Sequence, residues 1–183
     1  IFKSLQDHGA KWIQVDEPIL SLDLEQKFKN KFLSTYNLLS KVSPKILLTS
    51  YFSSAYHNYN LLKKINVSGI HFDLVNTENH DLNKIIQNFP KNKFFSAGLI
   101  NGRNIWKNNL SKSIDILKKI KRKISSEKLI ISSSCSLLHS PVDLNKEESI
   151  NSEIKDWLSF ADQKITEIVF LQKYFNSNLL LNN

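Results

Sequence analysis

Residues 94–104 read FFSAGLINGRN, a mainly apolar run that ends in a polar turn. Such a run is typical of a buried strand in a parallel sheet. The same pattern occurs five times, with apolar runs at residues 12–15, 46–48, 70–72, 94–100 and 129–131, each followed by polar residues. Because α/β folds place their ligands at the carboxyl ends of parallel strands, the repetition predicts one α/β unit whose functional groups face one side.

Amphipathic segments long enough to form helices separate the apolar runs. The predicted helices are residues 24–43, 54–65, 81–89, 110–124 and 151–175. Strand and helix alternate with a repeat of roughly 25 to 35 residues, which suits βα units and predicts a parallel sheet with right-handed crossovers. We assign residues 1–175 to one domain and expect residues 176–183 to form a frayed tail.

Two ways of arranging the sheet remain open. A doubly wound sheet of five strands would be complete within 183 residues. A (βα)8 barrel needs about 250 residues, so five units would be the later part of one. The chain contains no Met, even at position 1, which suggests an internal piece of a longer reading frame and favours the incomplete barrel.

Composition excludes several classes of protein. At 41% hydrophobic residues the chain can fill one core, and no apolar stretch approaches the roughly 20 residues that span a bilayer. The first residues lack the charged-then-apolar pattern of a signal peptide. The single cysteine, Cys135, excludes an internal disulfide and fits a reducing compartment. We therefore expect a soluble, cytoplasmic protein without a membrane partner.

The net charge of +8 raises the question of a polyanionic partner. The lysines are scattered over every predicted helix, as a biased composition would produce. The densest basic run, residues 118–123, lies on a helix whose apolar positions Ile114, Leu117 and Ile120 follow helical spacing, which places most of its lysines on the solvent-facing side. We expect no nucleic-acid partner.

Three strand ends carry residues that are able to do chemistry. Asp16 and Glu17 could take part in proton transfer or metal binding, although a loop-orienting Asp16 and a solvated Glu17 are favoured. His71 and Asp73 point to one face of their strand and could form half of a metal site, but a hydrogen-bonded structural His71 is favoured. Cys135 could be a nucleophile or a soft metal ligand, although a small, buried and inert residue is favoured.

The turn after the fourth predicted strand is more distinctive. Gly102 permits a positive φ. Arg103 could clamp an anion or tie the loop to a neighbouring carboxylate. We take Asn101 and Arg103 as the candidate substrate-binding residues.

Five of these segments, in this order and spacing, resemble one family. They are WIQVDEP (12–18), LLTSYF (47–52), GIHFDLV (69–75), GLINGRNIW (98–106) and SCSLLHSPVDL (134–144). Together with EIKDWLSFADQKITEI (153–168), they resemble the amino-terminal domain of cobalamin-independent methionine synthase over nearly the whole chain.

The resemblance implies an α/β fold, an incomplete (βα)8 TIM-type barrel that runs from about its fourth strand to its last helix. It implies a methyltransferase of methionine biosynthesis that moves a methyl group from 5-methyltetrahydrofolate, with a polyglutamate tail, to homocysteine without cobalamin. In the family, zinc activates the homocysteine thiol, and the zinc ligands lie in a carboxyl-terminal barrel that is absent here and against which this segment would pack. The basic residues that grip the folate tail come mainly from the absent earlier part of the first barrel.

The two barrels of the family look like copies of one ancestor. On that view Cys135 sits where the catalytic barrel keeps a zinc cysteine, but residues 47–52 lack the ligating His and Cys of the corresponding stretch. We therefore predict no catalytic residue and no metal site in this chain. The segment would act mainly as a scaffold for the cleft between the barrels, which Asn101 and Arg103 would face. The alternative is a truncated remnant or partner-dependent half-barrel without activity of its own.

Overall fold

The computed structural model describes residues 1–42 and 44–180. Within them the chain forms one parallel sheet of five strands in the order β1-β2-β3-β4-β5. The strands are β1 Trp12–Asp16, β2 Lys45–Thr49, β3 Gly69–Asp73, β4 Phe94–Ile100 and β5 Leu129–Ser133. The five apolar runs thus form the five strands, and the prediction of an α/β fold with a parallel sheet is confirmed.

Helices precede, connect and follow the strands. They are α1 Phe2–Asp7, α2 Gln26–Leu39, α3 Tyr59–Lys64, α4 Asn79–Gln87, α5 Leu110–Lys121, α6 Ser152–Lys155 and α7 Ala161–Leu180. No described helix is long and apolar enough to cross a membrane. The strand order follows the chain order throughout, whereas a doubly wound sheet reverses its order at a switch point. The doubly wound alternative is therefore wrong.

The two faces of the sheet have different chemistry because side chains alternate along each strand. One face carries apolar residues such as Leu48, Ile70 and Phe95, which join helical residues in the main hydrophobic core. The opposite face carries a row of polar residues, one from each of four neighbouring strands. In this polar row Asp16 pairs with Thr49, Thr49 with His71, and His71 with Ser96.

The prediction of one helix over residues 151–175 is wrong, because the chain leaves the helix between α6 and α7. The Lys107 N–H donates to the Trp157 carbonyl at 2.9 Å, and the Ser159 N–H donates to the Ile105 carbonyl at 2.8 Å. These hydrogen bonds join residues 157–159 to the segment after β4. In a continuous helix the Trp157 carbonyl and the Ser159 N–H would be bonded within the helix and could not make them.

Helix α7 is also fixed to this segment by a buried lysine. The side chain of Lys164 is fully buried, and its Nζ donates to the Trp106 carbonyl at 3.0 Å and to Asn104 Oδ1 at 3.3 Å. The helix continues past residue 176, the predicted start of the tail, as far as Leu180. The last residues of that predicted tail, 181–183, lie outside the described part of the chain.

Candidate functional site

The carboxyl ends of the strands bring an arginine, a histidine and a phenylalanine together. The guanidinium carbon of Arg103, which follows β4, lies 4.5 Å from the centroid of the Phe52 ring. The ring of His139, which follows β5, meets the same phenyl ring at 5.5 Å and 66°. We call Phe52, Arg103 and His139 the aromatic platform. Sequence reasoning identified only its arginine.

Phe52 adopts an unusual backbone conformation at the centre of this platform. Its φ of 77° makes it the one non-glycine residue with positive φ in the described part of the chain. A bulky side chain in this region costs about 1–3 kcal/mol, and such strain concentrates at functional sites. The Phe52 N–H donates to Asp73 Oδ2 at 3.1 Å, and this bond helps to hold the conformation.

Asp73 organises the loop between β3 and α4 as well. Its Oδ1 accepts the N–H groups of Val75 and Asn76, both at 3.1 Å. Its Oδ2 accepts the side-chain amide of Asn76 at 2.8 Å in addition to the Phe52 N–H. With four donors on a carboxylate that is 3% exposed, Asp73 positions two loops and has little capacity left for a metal or a substrate.

His71 is held inside the polar row as a neutral imidazole. Its Nε2 lies 3.1 Å from the Ser134 carbonyl oxygen, which can only accept, so Nε2 carries the proton. Nδ1 then accepts the Ser96 hydroxyl at 2.9 Å. Burial is the main cause that lowers the pKa of His71 below its ordinary value. The expectation that His71 is hydrogen-bonded within the protein is confirmed.

Gly98 leaves the space in which His71 lies. A Cβ at position 98 would stand 2.8 Å from His71 Cε1 and equally close to the backbone of Phe72 and Ser134. A residue larger than glycine at position 98 would therefore clash with the His71 imidazole.

The turn of residues 101–104 packs tightly onto the segment after β5. Asn101 Oδ1 accepts the Arg103 N–H at 2.8 Å, and the Gly102 N–H donates to Ser134 Oγ at 3.2 Å. A Cβ on Gly102 would lie 2.8 Å from the Cys135 carbonyl oxygen. Asn101 thus uses its side-chain oxygen to shape the turn, while Arg103 extends from it with an exposed side chain.

The first strand end also contributes hydrogen bonds. Asp16 accepts the Gln14 amide at 2.8 Å and the Tyr51 hydroxyl at 3.4 Å, and so orients the loop after β2. The expected solvated Glu17 is instead half-buried, and its Oε1 accepts the Tyr36 hydroxyl at 3.0 Å. Burial beside Glu17 raises the pKa of Tyr36 far above its ordinary value, so that this hydroxyl stays a donor.

Cys135 lies beneath Gly102 and is 5% exposed. Burial raises the pKa of its thiol, which disfavours the reactive thiolate. The interpretation of a small, buried cysteine is confirmed. Within residues 1–42 and 44–180, no three His, Cys, Asp or Glu side chains are placed so that they could share a metal ion. The strand ends of this chain therefore do not fit a zinc site.

Residues 1–125 match the sequence model of the cobalamin-independent synthase N-terminal domain. The chain belongs to this family. The resemblance drawn from the five strand-end segments is thereby confirmed, and a family of cobalamin-independent synthases requires no cobalamin.

Two relatives of this family member have the same name. The 5-methyltetrahydropteroyltriglutamate–homocysteine methyltransferase of Blochmanniella floridana is 43% identical over 178 residues, which cover 97% of this chain and 23% of the relative. The protein of the same name from Buchnera aphidicola subsp. Cinara cedri is 43% identical over 180 residues, covering 98% and 23%. The chain thus spans less than a quarter of the length of these relatives.

Solved structures support the fold. A B12-independent methionine synthase from Shewanella sp. W3-18-1, in complex with selenomethionine, superposes with a TM-score of 0.64 at 14% identity. The match covers 98% of this chain and 52% of the Shewanella chain. At that identity the likeness shows a shared α/β fold.

Proposed function

We propose that this chain is the later part of an amino-terminal (βα)8 barrel, from about strand 4 to the last helix, in a methyltransferase of methionine biosynthesis. The enzyme would transfer a methyl group from 5-methyltetrahydropteroyl-polyglutamate to homocysteine. The observation that carries this proposal is the 43% identity, over 97% of the chain, to a methyltransferase whose name states both substrates.

Three features of the sheet support the incomplete barrel. The strands follow one another in chain order, as they do around a (βα)8 barrel. Trp12, Gln14 and Asp16 of β1 are exposed, whereas every residue of β3 is buried. The buried Thr49 Oγ1 in the polar row has no hydrogen-bond partner in the described part of the chain. Earlier strands pairing with the edge of β1 would extend the polar row into a closed interior.

The expected role within that enzyme is a scaffold for the cleft between two barrels. His71 and Asp73, the side chains best suited to chemistry, already have protein partners. Zinc would be held by the carboxyl-terminal barrel, where it would favour the homocysteine thiolate. Asn101 and Arg103 would face the cleft at the strand ends. The enzyme would work in the cytoplasm, without nucleic acid or membrane.

A chimera tests the proposed activity. The matching 178-residue segment of the Blochmanniella floridana relative is replaced by this chain, and methionine formation is measured with homocysteine and 5-methyltetrahydropteroyltriglutamate. We expect a folded chimera that forms methionine. A folded chimera without activity, beside an active parent enzyme, would refute the proposal.

Two further measurements test the parts of the proposal. Changing Arg103 to Ala in the chimera should lower turnover, while the exposed Arg122→Ala variant serves as the control; unchanged stability and turnover would refute a role in the cleft.

The isolated chain, dialysed after addition of stoichiometric zinc, should retain no metal. Tight one-to-one retention would contradict a zinc site confined to the other barrel.

A further inference from the structure

A small cavity lies at the amino ends of β4 and β5, at the end of the sheet opposite the aromatic platform. Its volume is about 210 Å³, and its polar lining consists of a serine and four lysines, Ser125, Lys91, Lys93, Lys123 and Lys128. We call the four lysines the lysine cluster. Lys93 directly precedes β4 and Lys128 directly precedes β5. The cavity is therefore separate from the strand ends that would face the cleft.

Lys93 is the buried member of the lysine cluster. It is 6% exposed, and its Nζ donates to the carbonyl of Ile65, the residue that follows α3. Burial lowers the pKa of Lys93 to about 8, so its amino group still carries a proton in most molecules at pH 7. An ammonium group has three N–H donors. The other two donors of Lys93 have no acceptor within the described residues.

Lys128 is held in place by an aromatic ring. Its Nζ lies 4.3 Å from the ring centroid of Phe94, the first residue of β4. This contact restricts the ammonium group without using its N–H donors. Lys91 and Lys123 are exposed at the rim of the cavity. The cavity thus combines one buried cation, one cation fixed on a ring and two exposed cations.

The charge of the lysine cluster is not neutralised by the described part of the chain. The ion pairs found within residues 1–42 and 44–180, His57–Asp23 and Lys118–Asp115, involve none of the four lysines. Helices α3, α4 and α5 lead into β3, β4 and β5, so their carboxyl ends lie on this side of the sheet. Each carboxyl end carries roughly half a negative charge. Three helix ends therefore offset less than half of four positive charges, and roughly two remain.

We propose that the lysine cluster binds a small oxyanion with two negative charges, of the size and shape of inorganic phosphate. A doubly charged ion matches the remaining charge, whereas a single carboxylate would offset only half of it. Lysine binds phosphate as a compact point charge, while the planar fork of arginine is what matches a carboxylate in two parallel hydrogen bonds.

The size of the cavity favours the free ion over a phosphate group on a larger molecule. At about 210 Å³, it is smaller than the roughly 300–1,000 Å³ of pockets that enclose drug-sized ligands. A bound ion would join the segment before β4 to the segment before β5. Because it would bind only the folded chain, it would also raise the melting temperature. This inference does not depend on the proposed function.

Calorimetric titration of the chain with inorganic phosphate tests the proposal, at about 0.15 M KCl to screen non-specific attraction. We expect one phosphate per chain. Acetate, with a single charge, and AMP, which is too large for the cavity, should each bind about tenfold or more weakly. No binding of phosphate, several phosphates per chain, or equally tight binding of acetate or AMP would overturn the proposal.

Variants locate the site. Lys93→Met and Lys128→Met should each weaken phosphate binding about tenfold, because each removes one charge-assisted interaction. Lys3→Met removes the same charge from an exposed position of α1 and should leave the affinity unchanged. Melting temperatures show which variants fold, and Lys128→Met provides the test if the buried Lys93 proves necessary for folding. Equal affinities of folded Lys3→Met and Lys128→Met would overturn the site. None of these results bears on methyl transfer, which the chimera tests.

Discussion

The backbone N–H of Phe52 and Oδ2 of Asp73 form a 3.1 Å hydrogen bond that joins the loop after β2 to the end of β3. The bond couples a strained residue on the surface to a buried carboxylate. The orientation of the aromatic platform therefore depends on an acidic residue that would not itself touch a substrate.

Replacing Asp73 by Ala should destabilise the domain by about 3 kcal/mol, because it leaves backbone donors of Phe52, Val75 and Asn76 without an acceptor. Chemical denaturation measures the effect. Asp115→Ala is the control, since Asp115 is exposed and forms only a 3.9 Å surface pair with Lys118. Equal stability losses in the two variants would contradict an organising role for Asp73.

Gly102→Ala should destabilise the domain by about 1–3 kcal/mol, as overpacking does in close-packed sites. The added Cβ would stand 2.8 Å from the Cys135 carbonyl oxygen and 2.9 Å from Cys135 Sγ. Because neither the carbonyl nor the buried sulfur can move away freely, the turn that carries Arg103 should shift. Denaturation measures stability, and the turnover of the chimera reports the shift. A variant with wild-type values of both would show that the turn does not need glycine.

We expect His71 to lower the free energy of unfolding of the domain as the pH falls. Burial lowers the folded-state pKa of His71 below 6.5, whereas the unfolded chain keeps the ordinary value of about 6.5. Below that pH the unfolded state binds a proton that the folded state excludes, so the free energy of unfolding falls by up to about 1.4 kcal/mol per pH unit. The loss ends once the pH passes below the folded-state pKa.

Unfolding free energies measured at several pH values between 7.5 and 5 test this dependence. In a His71→Gln variant the free energy of unfolding should lose this part of its dependence on pH. In His80→Gln, at an exposed position of α4, the dependence should remain. An unchanged slope in His71→Gln would assign the acid sensitivity to other groups.

Cys135 should react slowly with a maleimide in the native protein at neutral pH. Its side chain is buried under the Gly102 turn and burial raises its thiol pKa, so we expect a rate about tenfold or more below that of the unfolded chain. The chain has no other cysteine, so total labelling reports this residue alone. Equal rates in native and unfolded protein would show that the turn opens readily.

The strands could be predicted because each is a buried apolar run, a local signal that the sheet preserves. The break in the long predicted helix could not be predicted, because the chain leaves the helix between α6 and α7 to pair with residues 105–107, far away in the sequence. Lys164 illustrates the same difficulty. Its fully buried position depends on acceptors in the loop after β4, and nothing in its neighbouring residues indicates them.

The candidate site was predictable in part for a similar reason. Arg103 follows a strand and a glycine turn, which places it at the strand ends from sequence alone. Phe52 and His139 were not identified, because the platform forms from three separate loops. The positive φ of Phe52 is secured by an aspartate 21 residues away. The adjacent residues 49–51 do not indicate this conformation. An aromatic residue shortly after a strand end was the one available signal.

The mass of the native polypeptide in cell extract tests the central claim, that this chain works as a segment of a longer methyltransferase. We predict a species several times larger than 21.2 kDa that carries these residues internally. A native species of 21.2 kDa would contradict the claim, since the zinc-bearing barrel and the earlier strands would then be missing from the same polypeptide.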